Sequence, residues 1–167
     1  MQRVLVIGAS GSGKSTLAAR LAERAGLPYV ATDPLCWGEH WRPVPVGEVH
    51  RRAAGLAAGA AWVMDGNFDG ARAAVWARAD TIVWLDYPPW VVWPRVLRRN
   101  VGWALGKTSV WSGNTMTLSR AWSGVRHSVR TYGGKRRDYP GYLAEFPRAC
   151  VLRFRSPRAA AHWLAGV

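Results

Sequence analysis

Short apolar runs rich in β-branched residues recur along the chain, and stretches with helical spacing of apolar positions separate them. The runs predict five strands, at residues 3–7, 28–31, 61–65, 81–86 and 150–154. Leu17 and Leu21 mark one face of a helix after the first strand, and Val92 and Val96 mark one face of a later helix. Strands that alternate with helices form βαβ units. The pattern therefore predicts an α/β fold in three layers, a five-stranded, mainly parallel sheet with helices on both faces.

Other helices are indicated by weaker spacing and by their boundaries. We predict a helix over 46–59 and a short helix over 71–79. Two prolines open the helix after the fourth strand, and Pro94 inside it removes a backbone hydrogen bond and predicts a kink. Asp86, just before those prolines, is interpreted as the cap of that helix. Ser156 is the predicted N-cap of the last helix.

The turn after the first predicted strand carries the most specific motif of the chain. It reads Gly8-Ala9-Ser10-Gly11-Ser12-Gly13-Lys14-Ser15, and Thr16 follows at the start of the helix. The spacing G-x-x-x-x-G-K-S between a strand and a helix is that of a phosphate-binding loop. Its glycines let successive amides turn inward around a phosphate chain, and the helix N-terminus adds its positive end. Residues 8–16 are thus predicted to bind ATP, with Lys14 on the transferred phosphate and Ser15 on Mg²⁺.

Carboxylates follow three of the predicted strands. Because parallel strands end at one edge of a sheet, where ligands bind, Asp33, Asp65 and Asp86 are candidates for chemistry. Asp65 is the predicted second Mg²⁺ residue, and the alternative is a plain turn before Gly66. Asp33 is predicted to hold or deprotonate the phosphate acceptor, and the alternative is a structural cap or turn before Pro34.

The segment from Tyr87 to Arg137 contains ten lysines and arginines and no acidic residue. A segment of one charge sign suits a lid that closes over phosphates, and its glycines provide hinges. We place this lid at about 100–140, inside one domain that spans residues 1–167. Two arginine pairs at helical spacing are predicted to contact phosphates, namely Arg95 and Arg99 as catalytic clamps and Arg126 and Arg130 as ATP-binding residues. A solvated basic surface or a nucleic-acid patch is the alternative.

Composition adds a strong positive charge to this picture. The 167 residues carry a net charge of +13, which favours polyanionic partners such as nucleotides, nucleic acid or an anionic surface. Cys36 and Cys150 lack C-x-x-C spacing and are expected to be reduced thiols of a cytoplasmic protein. The four histidines have no zinc spacing, so Mg²⁺ is the only metal expected. No apolar run reaches the ~18 residues of a membrane span and no signal peptide is indicated, so a membrane is not an expected partner.

Several stretches together resemble the P-loop kinases of the nucleoside monophosphate kinase type, and in particular the adenylate-kinase-related group called topology modulation proteins. They are the loop at 8–15, residues 33–37 with 41–43, residues 62–68, residues 80–88 with 95–99, and residues 153–157. The resemblance covers most of the chain and implies a P-loop NTPase fold with Mg-ATP as the phosphate donor. It also implies which residues bind the acceptor: Asp33, Trp37, Trp41 and Asn67. Packing against the core is the alternative for the two tryptophans.

One departure from that family concerns the acceptor. Asn67 and Phe68 stand where adenylate kinases have Phe-Pro-Arg, so an arginine for the phosphate of AMP is missing at this point. The prediction is therefore an ATP-dependent phosphotransferase that acts on a nucleotide, nucleoside or similar small acceptor. Two alternatives stay open. One is a nucleotide-regulated nucleic-acid-binding protein, and the other is a metabolite kinase of the shikimate-kinase type, which Asp33 after the second strand resembles.

Overall fold

The strands of the computed structural model, which describes residues 1–68, 70–106 and 108–167, form two sheets. In chain order they are β1 (Arg3–Gly8), β2 (Tyr29–Ala31), β3 (Trp62–Asp65), β4 (Thr81–Leu85), β5 (Ser109–Val110), β6 (Asn114–Thr115) and β7 (Cys150–Phe154). The main sheet has the order β2-β3-β1-β4-β7, and each neighbouring pair is parallel. β5 and β6 form a separate antiparallel hairpin. The predicted five-stranded parallel sheet is confirmed.

Helices connect these strands on both sides of the sheet. In the described part of the chain they are α1 (Lys14–Ala25), α2 (Val46–Ala57), α3 (Arg72–Val75), α4 (Pro89–Leu105), α5 (Leu118–Ala144) and α6 (Pro157–Ala165). Short 3-10 turns occupy Asp33–Cys36, Glu39–Trp41 and Trp76–Arg78. No helix within the described residues is both long enough and apolar enough to cross a membrane.

The central strand β1 separates two halves of the core. Val4 and Val6 are fully buried against α1, α4 and α6, whereas Leu5 and Ile7 are fully buried against α2, α3 and the end of α5. Successive side chains of a strand point to opposite faces, so an uninterrupted apolar run is what a strand covered on both faces requires. Burial of each such side chain stabilises the fold by about 1.5–3 kcal/mol relative to leaving it exposed to water. This arrangement gives the three layers predicted from the sequence.

Asp86 does not cap α4, which corrects its interpretation from the sequence. Its carboxylate is buried at the end of β4 and pairs with Arg153 of β7, at 2.6 Å, and with Arg136 of α5, at 2.8 Å. Pro88 stands at the N-cap of α4 instead, and the helix continues through Pro94 to its end. Asp86 therefore joins β4 to β7 and α5. The predicted N-cap Ser156 is confirmed, because its hydroxyl accepts from the amide of the third residue beyond it at 3.2 Å.

The basic segment forms an antiparallel helix pair, α4 and α5, joined through the β5–β6 hairpin. Asn100 of α4 is buried and donates to the backbone oxygen of Ala121 of α5 at 3.3 Å. Trp93 and Tyr132 contact each other near the other end of the pair, with ring centroids 5.9 Å apart. Lys107, one of the ten cations of the segment, lies outside the described residues. The pair places two long helices beside the phosphate-binding loop.

Candidate active site

The loop between β1 and α1 has the backbone shape of an anion cradle. Gly8, Gly11 and Gly13 have φ values of 150°, 83° and 91°, which L side chains rarely adopt. A Cβ atom on Gly8 would lie 2.8 Å from the Ser12 hydroxyl oxygen, and one on Gly11 would lie 2.8 Å from a backbone oxygen of α4. No side chain caps the start of α1, so the first amides of this helix are available to a ligand.

Two polar atoms beside the loop are buried and have no hydrogen-bond partner among the described residues. They are the hydroxyl oxygen of Ser12 and the Nε of Arg99. Buried polar groups are normally hydrogen-bonded, so each such atom calls for an explanation. A phosphate group has oxygens that accept from a hydroxyl and from a guanidinium at once. The cradle, the uncapped helix and these two donors therefore fit a phosphate chain.

Cations from α4 and α5 lie close to the loop. Arg99 donates to the Ser10 hydroxyl at 3.3 Å, and the guanidinium of Arg95 lies 3.9 Å from the position of a Cβ on Gly13. Lys135 of α5 is close enough to depress the pKa of the loop lysine. Guanidinium groups suit bidentate contact with phosphate oxygens, and a lysine adds a point charge. The structure thus brings the predicted pair Arg95 and Arg99 to the loop.

Lys14 folds back on the loop, where its ammonium group donates to the backbone oxygen of Ala9 at 3.1 Å. Burial, together with the positive charge of Lys135, lowers the pKa of Lys14 to about 8, although the carboxylate of Asp33 opposes the shift. The lowered pKa means that burial deprives the ammonium group of water and that the nearby carboxylates do not fully compensate for this loss. An anionic ligand at the loop would stabilise the charged form of Lys14.

This shift predicts a pH-dependent affinity for a non-hydrolysable ATP analogue. The free protein loses the Lys14 proton near pH 8, whereas a bound triphosphate keeps the ammonium charged, so binding takes up a proton above that pH. Affinity should be level below pH ~7 and fall by up to about tenfold per pH unit above ~8. Calorimetry in buffers of different ionisation enthalpy measures the uptake. K14R, which stays charged, should lack the dependence, and a level affinity of the native protein over the same range would contradict the prediction.

Ser15 and Asp65 meet at the hydroxyl of Tyr29. This phenol is hydrogen-bonded to the Ser15 hydroxyl and to the Asp65 carboxylate. Burial and the charge of Asp65 raise the pKa of Tyr29 to about 12, so it stays protonated and donates to that carboxylate. Asp65 itself is buried at the end of β3, where its Oδ1 accepts from the amide of Thr32 at 3.1 Å and its backbone oxygen accepts from the Thr32 hydroxyl. These bonds hold the carboxylate beside the loop.

The donor set fits Mg²⁺ bound together with a nucleotide. Within the described residues, no three His, Cys, Asp or Glu side chains form a metal cluster. Mg²⁺ needs only one or two protein ligands when phosphates and water supply the others. The hydroxyl of Ser15 and the carboxylate of Asp65 are oxygen ligands of the required kind, and they share one hydrogen-bonding partner.

Asp33 begins the 3-10 turn that follows β2 and is open to solvent at its surface. Desolvation by the surrounding protein raises the pKa of Asp33, Lys14 opposes that rise, and Asp65 adds to it. Arg99 is also close enough for its charge to act on this carboxylate. A carboxylate with a raised pKa, open to solvent and near the loop lysine, can hold a hydroxyl group and accept its proton.

Asn67 lies under the first residue of the loop. Its side-chain oxygen accepts from the amide of Gly8 at 3.2 Å, and its backbone oxygen accepts from the indole of Trp76 at 2.9 Å. Asn67 therefore positions the start of the loop. Its role toward the acceptor stays a prediction.

Trp37 and Trp41 are half-buried, and they pack against the β5–β6 hairpin rather than in the main core. Their ring centroids lie 5.5 Å apart, and Trp41 lies 6.0 Å from Trp111 in the hairpin. The backbone amide of Trp41 donates to the side-chain oxygen of Asn114 at 2.6 Å. The side-chain nitrogen of Asn114 donates in turn to the backbone oxygen of Gly38 at 2.9 Å. The lid-like segment is thus joined to the stretch that begins at Asp33.

The structure does not bring Arg126 and Arg130 to the loop. Ser128, between them, is buried and donates to the backbone oxygen of Ser10 at 3.4 Å. Each arginine is two residues from Ser128, which places it about 200° around the helix, and both are exposed. Lys135 follows Ser128 by two helical turns and lies on the same face. Sequence reasoning missed Ser128, Lys135 and Tyr29, and only the i, i+7 spacing of the first two offered a signal.

Comparison with known proteins identifies solved structures of similar fold. No family model matches the chain, and no curated protein matches it in sequence. One similar structure is a gluconokinase from Sinorhizobium meliloti 1021, with 20% identity over 99% of this chain and 92% of that chain and a TM-score of 0.51. Another is a sugar kinase from Janibacter sp. HTCC2649, with 17% identity over 99% of this chain and 93% of that chain and a TM-score of 0.51. At these identities the likeness shows the fold alone, and the chain shares the α/β fold of these two structures.

Proposed function

We propose that the protein is an ATP-dependent kinase that transfers the γ-phosphate of Mg-ATP to a small acceptor. The observation that carries this proposal is the convergence of opposite charges at one loop. Lys14, Arg95 and Arg99 surround the cradle, and the carboxylates of Asp33 and Asp65 lie beside it at neighbouring strand ends. Phosphoryl transfer requires mainly such positioning and neutralisation of charge.

Each group has a part in that reaction. The loop amides and Lys14 hold the β- and γ-phosphates, and the two arginines stabilise the charge that spreads over the transferred group. Ser15 and Asp65 would hold Mg²⁺, which would supply positive charge to neutralise the phosphates. As the acceptor oxygen bonds to phosphorus, the bond from phosphorus to the leaving oxygen of ADP breaks. Asp33 takes the proton that the acceptor hydroxyl loses.

We further propose that the acceptor presents a hydroxyl group rather than a phosphate. A phosphate acceptor arrives already ionised, so it needs cations and not a base, and the carboxylate of Asp33 would repel it. A nucleoside, a sugar or a similar metabolite meets no such obstacle. The two similar structures are named as a gluconokinase and a sugar kinase, which agrees with this class. Trp37 and Trp41, on the stretch that begins at Asp33, would flank the acceptor.

A thermal-shift screen tests the proposed function directly. The protein is heated with a non-hydrolysable ATP analogue and Mg²⁺, and then with nucleosides, nucleotides, sugars and hydroxy acids added one at a time. A ligand at a hundred times its Kd stabilises a protein by about 2.7 kcal/mol, which is several degrees in Tm for a domain of this size. The acceptor should raise Tm beyond the analogue alone and should then support ATP consumption. Absence of any shift with the analogue would contradict the proposal.

Replacement of Asp65 and replacement of Asp33 are expected to change different kinetic parameters. Asp65→Asn weakens the metal site and should raise the Mg²⁺ concentration needed for half-maximal rate. Asp33→Asn removes the base and should lower kcat at saturating Mg-ATP by about 10²–10⁴-fold, with little change in the Mg²⁺ requirement. Initial rates over a Mg²⁺ titration measure both. Equal metal dependence and equal rates in the two variants would contradict the assignment.

A further inference from the structure

The α4–α5 pair has an outer face that turns away from the phosphate-binding loop. Leu97 lies two residues from both Arg95 and Arg99, which approach the loop, so it points about 200° away from them. On α5, Val129 follows directly after the buried, loop-facing Ser128 and is itself exposed. The outer face is therefore distinct from the site already described.

Exposed apolar side chains run along this outer face in two parallel stripes. The stripe on α4 consists of Trp90, Trp93 and Leu97, and the stripe on α5 consists of Leu118, Trp122 and Val129. Both recur at the helical spacing of three, four or seven residues, so each stripe keeps to one side of its helix. The contact between Trp93 and Tyr132 holds the two helices side by side. Together the stripes form one surface, here called the outer apolar strip.

The exposure of the strip is high for side chains of this type. Trp90 is 75% exposed, Trp122 is 65% exposed and Leu118 is 63% exposed. Single exposed apolar residues need no explanation, but a contiguous exposed set bordered by charges marks an interaction site. The strip therefore indicates a partner that accepts both indole rings and aliphatic side chains.

The charged side chains that lie beside the strip on α4 and α5 are arginines. Arg98 is exposed beside Leu97 on α4, and Arg126 and Arg130 are exposed beside Val129 on α5. No acidic residue occurs anywhere in the sequence from Tyr87 to Arg137. Charge complementarity then requires an anionic partner. A second copy of this chain would bring the same arginines face to face, so the charge pattern opposes self-association.

We propose that the outer apolar strip docks on an anionic membrane surface. Tryptophan favours the level of the lipid headgroups, aliphatic side chains enter the acyl region, and arginine attracts anionic lipid. Nucleic acid would match the arginines and stack on the tryptophans, but it offers no apolar region for Leu97, Leu118 and Val129. The membrane is not a partner expected from the sequence, because the strip is divided between two helices and neither half is a continuous apolar run.

Vesicle flotation tests this docking. The full chain is mixed with vesicles of phosphatidylcholine alone or of phosphatidylcholine with phosphatidylglycerol, and the fraction bound is measured at low and physiological salt. Binding should require the anionic lipid and weaken with salt. W90S/W122S should lower the partition coefficient by at least about tenfold. R126Q/R130Q should lower it by about twenty-fivefold, since each lost arginine costs about fivefold.

Matched variants elsewhere on the surface serve as controls. R148Q/R158Q removes the same charge from exposed positions outside the pair, and V46S/L56S removes exposed apolar side chains from α2. Both should bind as the native chain does, and all four variants should keep its Tm because the replaced side chains are exposed. The proposal is overturned if R148Q/R158Q loses as much binding as R126Q/R130Q. It is also overturned if the strip variants abolish binding to duplex DNA or dimerisation and leave vesicle binding unchanged.

Discussion

Replacing Lys14 by alanine is expected to lower kcat by about 10³-fold or more and to leave the fold intact. The ammonium group is the only side-chain cation within residues 8–15, and in the proposed reaction it holds the β- and γ-phosphates. Within the described residues it donates one hydrogen bond, to the backbone oxygen of Ala9, which is worth about 1 kcal/mol. Removal of a desolvated charge offsets part of that loss, as its lowered pKa indicates. The expected change in Tm is therefore small.

The measurement combines ATP consumption with a melting curve for each variant. Arg20→Ala is the matched control, because Arg20 is an exposed cation on α1, six residues beyond Lys14 and away from the loop. It should retain activity within a few-fold of the native protein. Undiminished turnover in Lys14→Ala would remove the central part of the proposed function. A large fall in Tm would instead show that Lys14 is a structural residue.

The fold was accessible from the sequence because its signals are local. β1 and β4 are continuous apolar runs, which differ from the helical spacing of apolar residues in the neighbouring segments. The loop between β1 and α1 depends on glycines at fixed spacing. The φ values of Gly8, Gly11 and Gly13 show why that spacing identifies a backbone shape and not only a composition. Asp33 and Asp65 were predicted as site residues because parallel strands end at one edge of the sheet.

Contacts between segments that are distant in the sequence could not be predicted in this way. Asp86 precedes a helix, which favours a cap, but its partners Arg136 and Arg153 follow 50 and 67 residues later. A buried carboxylate that two arginines can reach gains more from charge-assisted hydrogen bonds than from capping. Nothing in the local sequence distinguishes the two outcomes.

The sequence also does not predict the rotation of α5 about its own axis, which decides which of its residues face the loop. Arg126 and Arg130 share one face at i, i+4 spacing, and the sequence does not show which face of α5 meets the loop. The structure shows that Ser128 and Lys135 lie on the loop side, so the predicted pair falls on the outer face. The acid-free segment thus has two basic faces with different surroundings. The inner face lies beside the phosphate cradle, and the outer face borders the outer apolar strip.

Aromatic residues connect the inner face with the stretch that begins at Asp33. Arg99 lies over the ring of Trp103 at 4.8 Å, Trp103 lies 5.9 Å from Trp111, and Trp111 lies 6.0 Å from Trp41. A cation over an indole is held in place by about 0.5–2 kcal/mol. The position of Arg99 at the loop therefore depends on the hairpin and on the stretch that begins at Asp33.

Replacing Arg99 by alanine is expected to lower kcat by about 10³-fold with a smaller change in the KM for ATP. Arg99 donates to Ser10 of the loop at 3.3 Å, and its buried Nε has no hydrogen-bond partner among the described residues. Desolvation lowers the pKa of its guanidinium, which indicates that little water surrounds the group. A negative charge that develops nearby therefore interacts with it more strongly than it would in water. Such a group stabilises a transition state more than it stabilises bound substrate.

The neighbouring residue provides the control for this prediction. Arg98→Ala removes the same side chain from an exposed position one residue away, and it should change kcat by no more than a few-fold. Arg99→Lys keeps the charge and loses the planar fork, so it should fall between the native protein and Arg99→Ala. Steady-state rates at saturating acceptor give all three values. An equal loss in Arg98→Ala and Arg99→Ala would mean that net charge, and not the position of Arg99 beside Ser10, accounts for the effect.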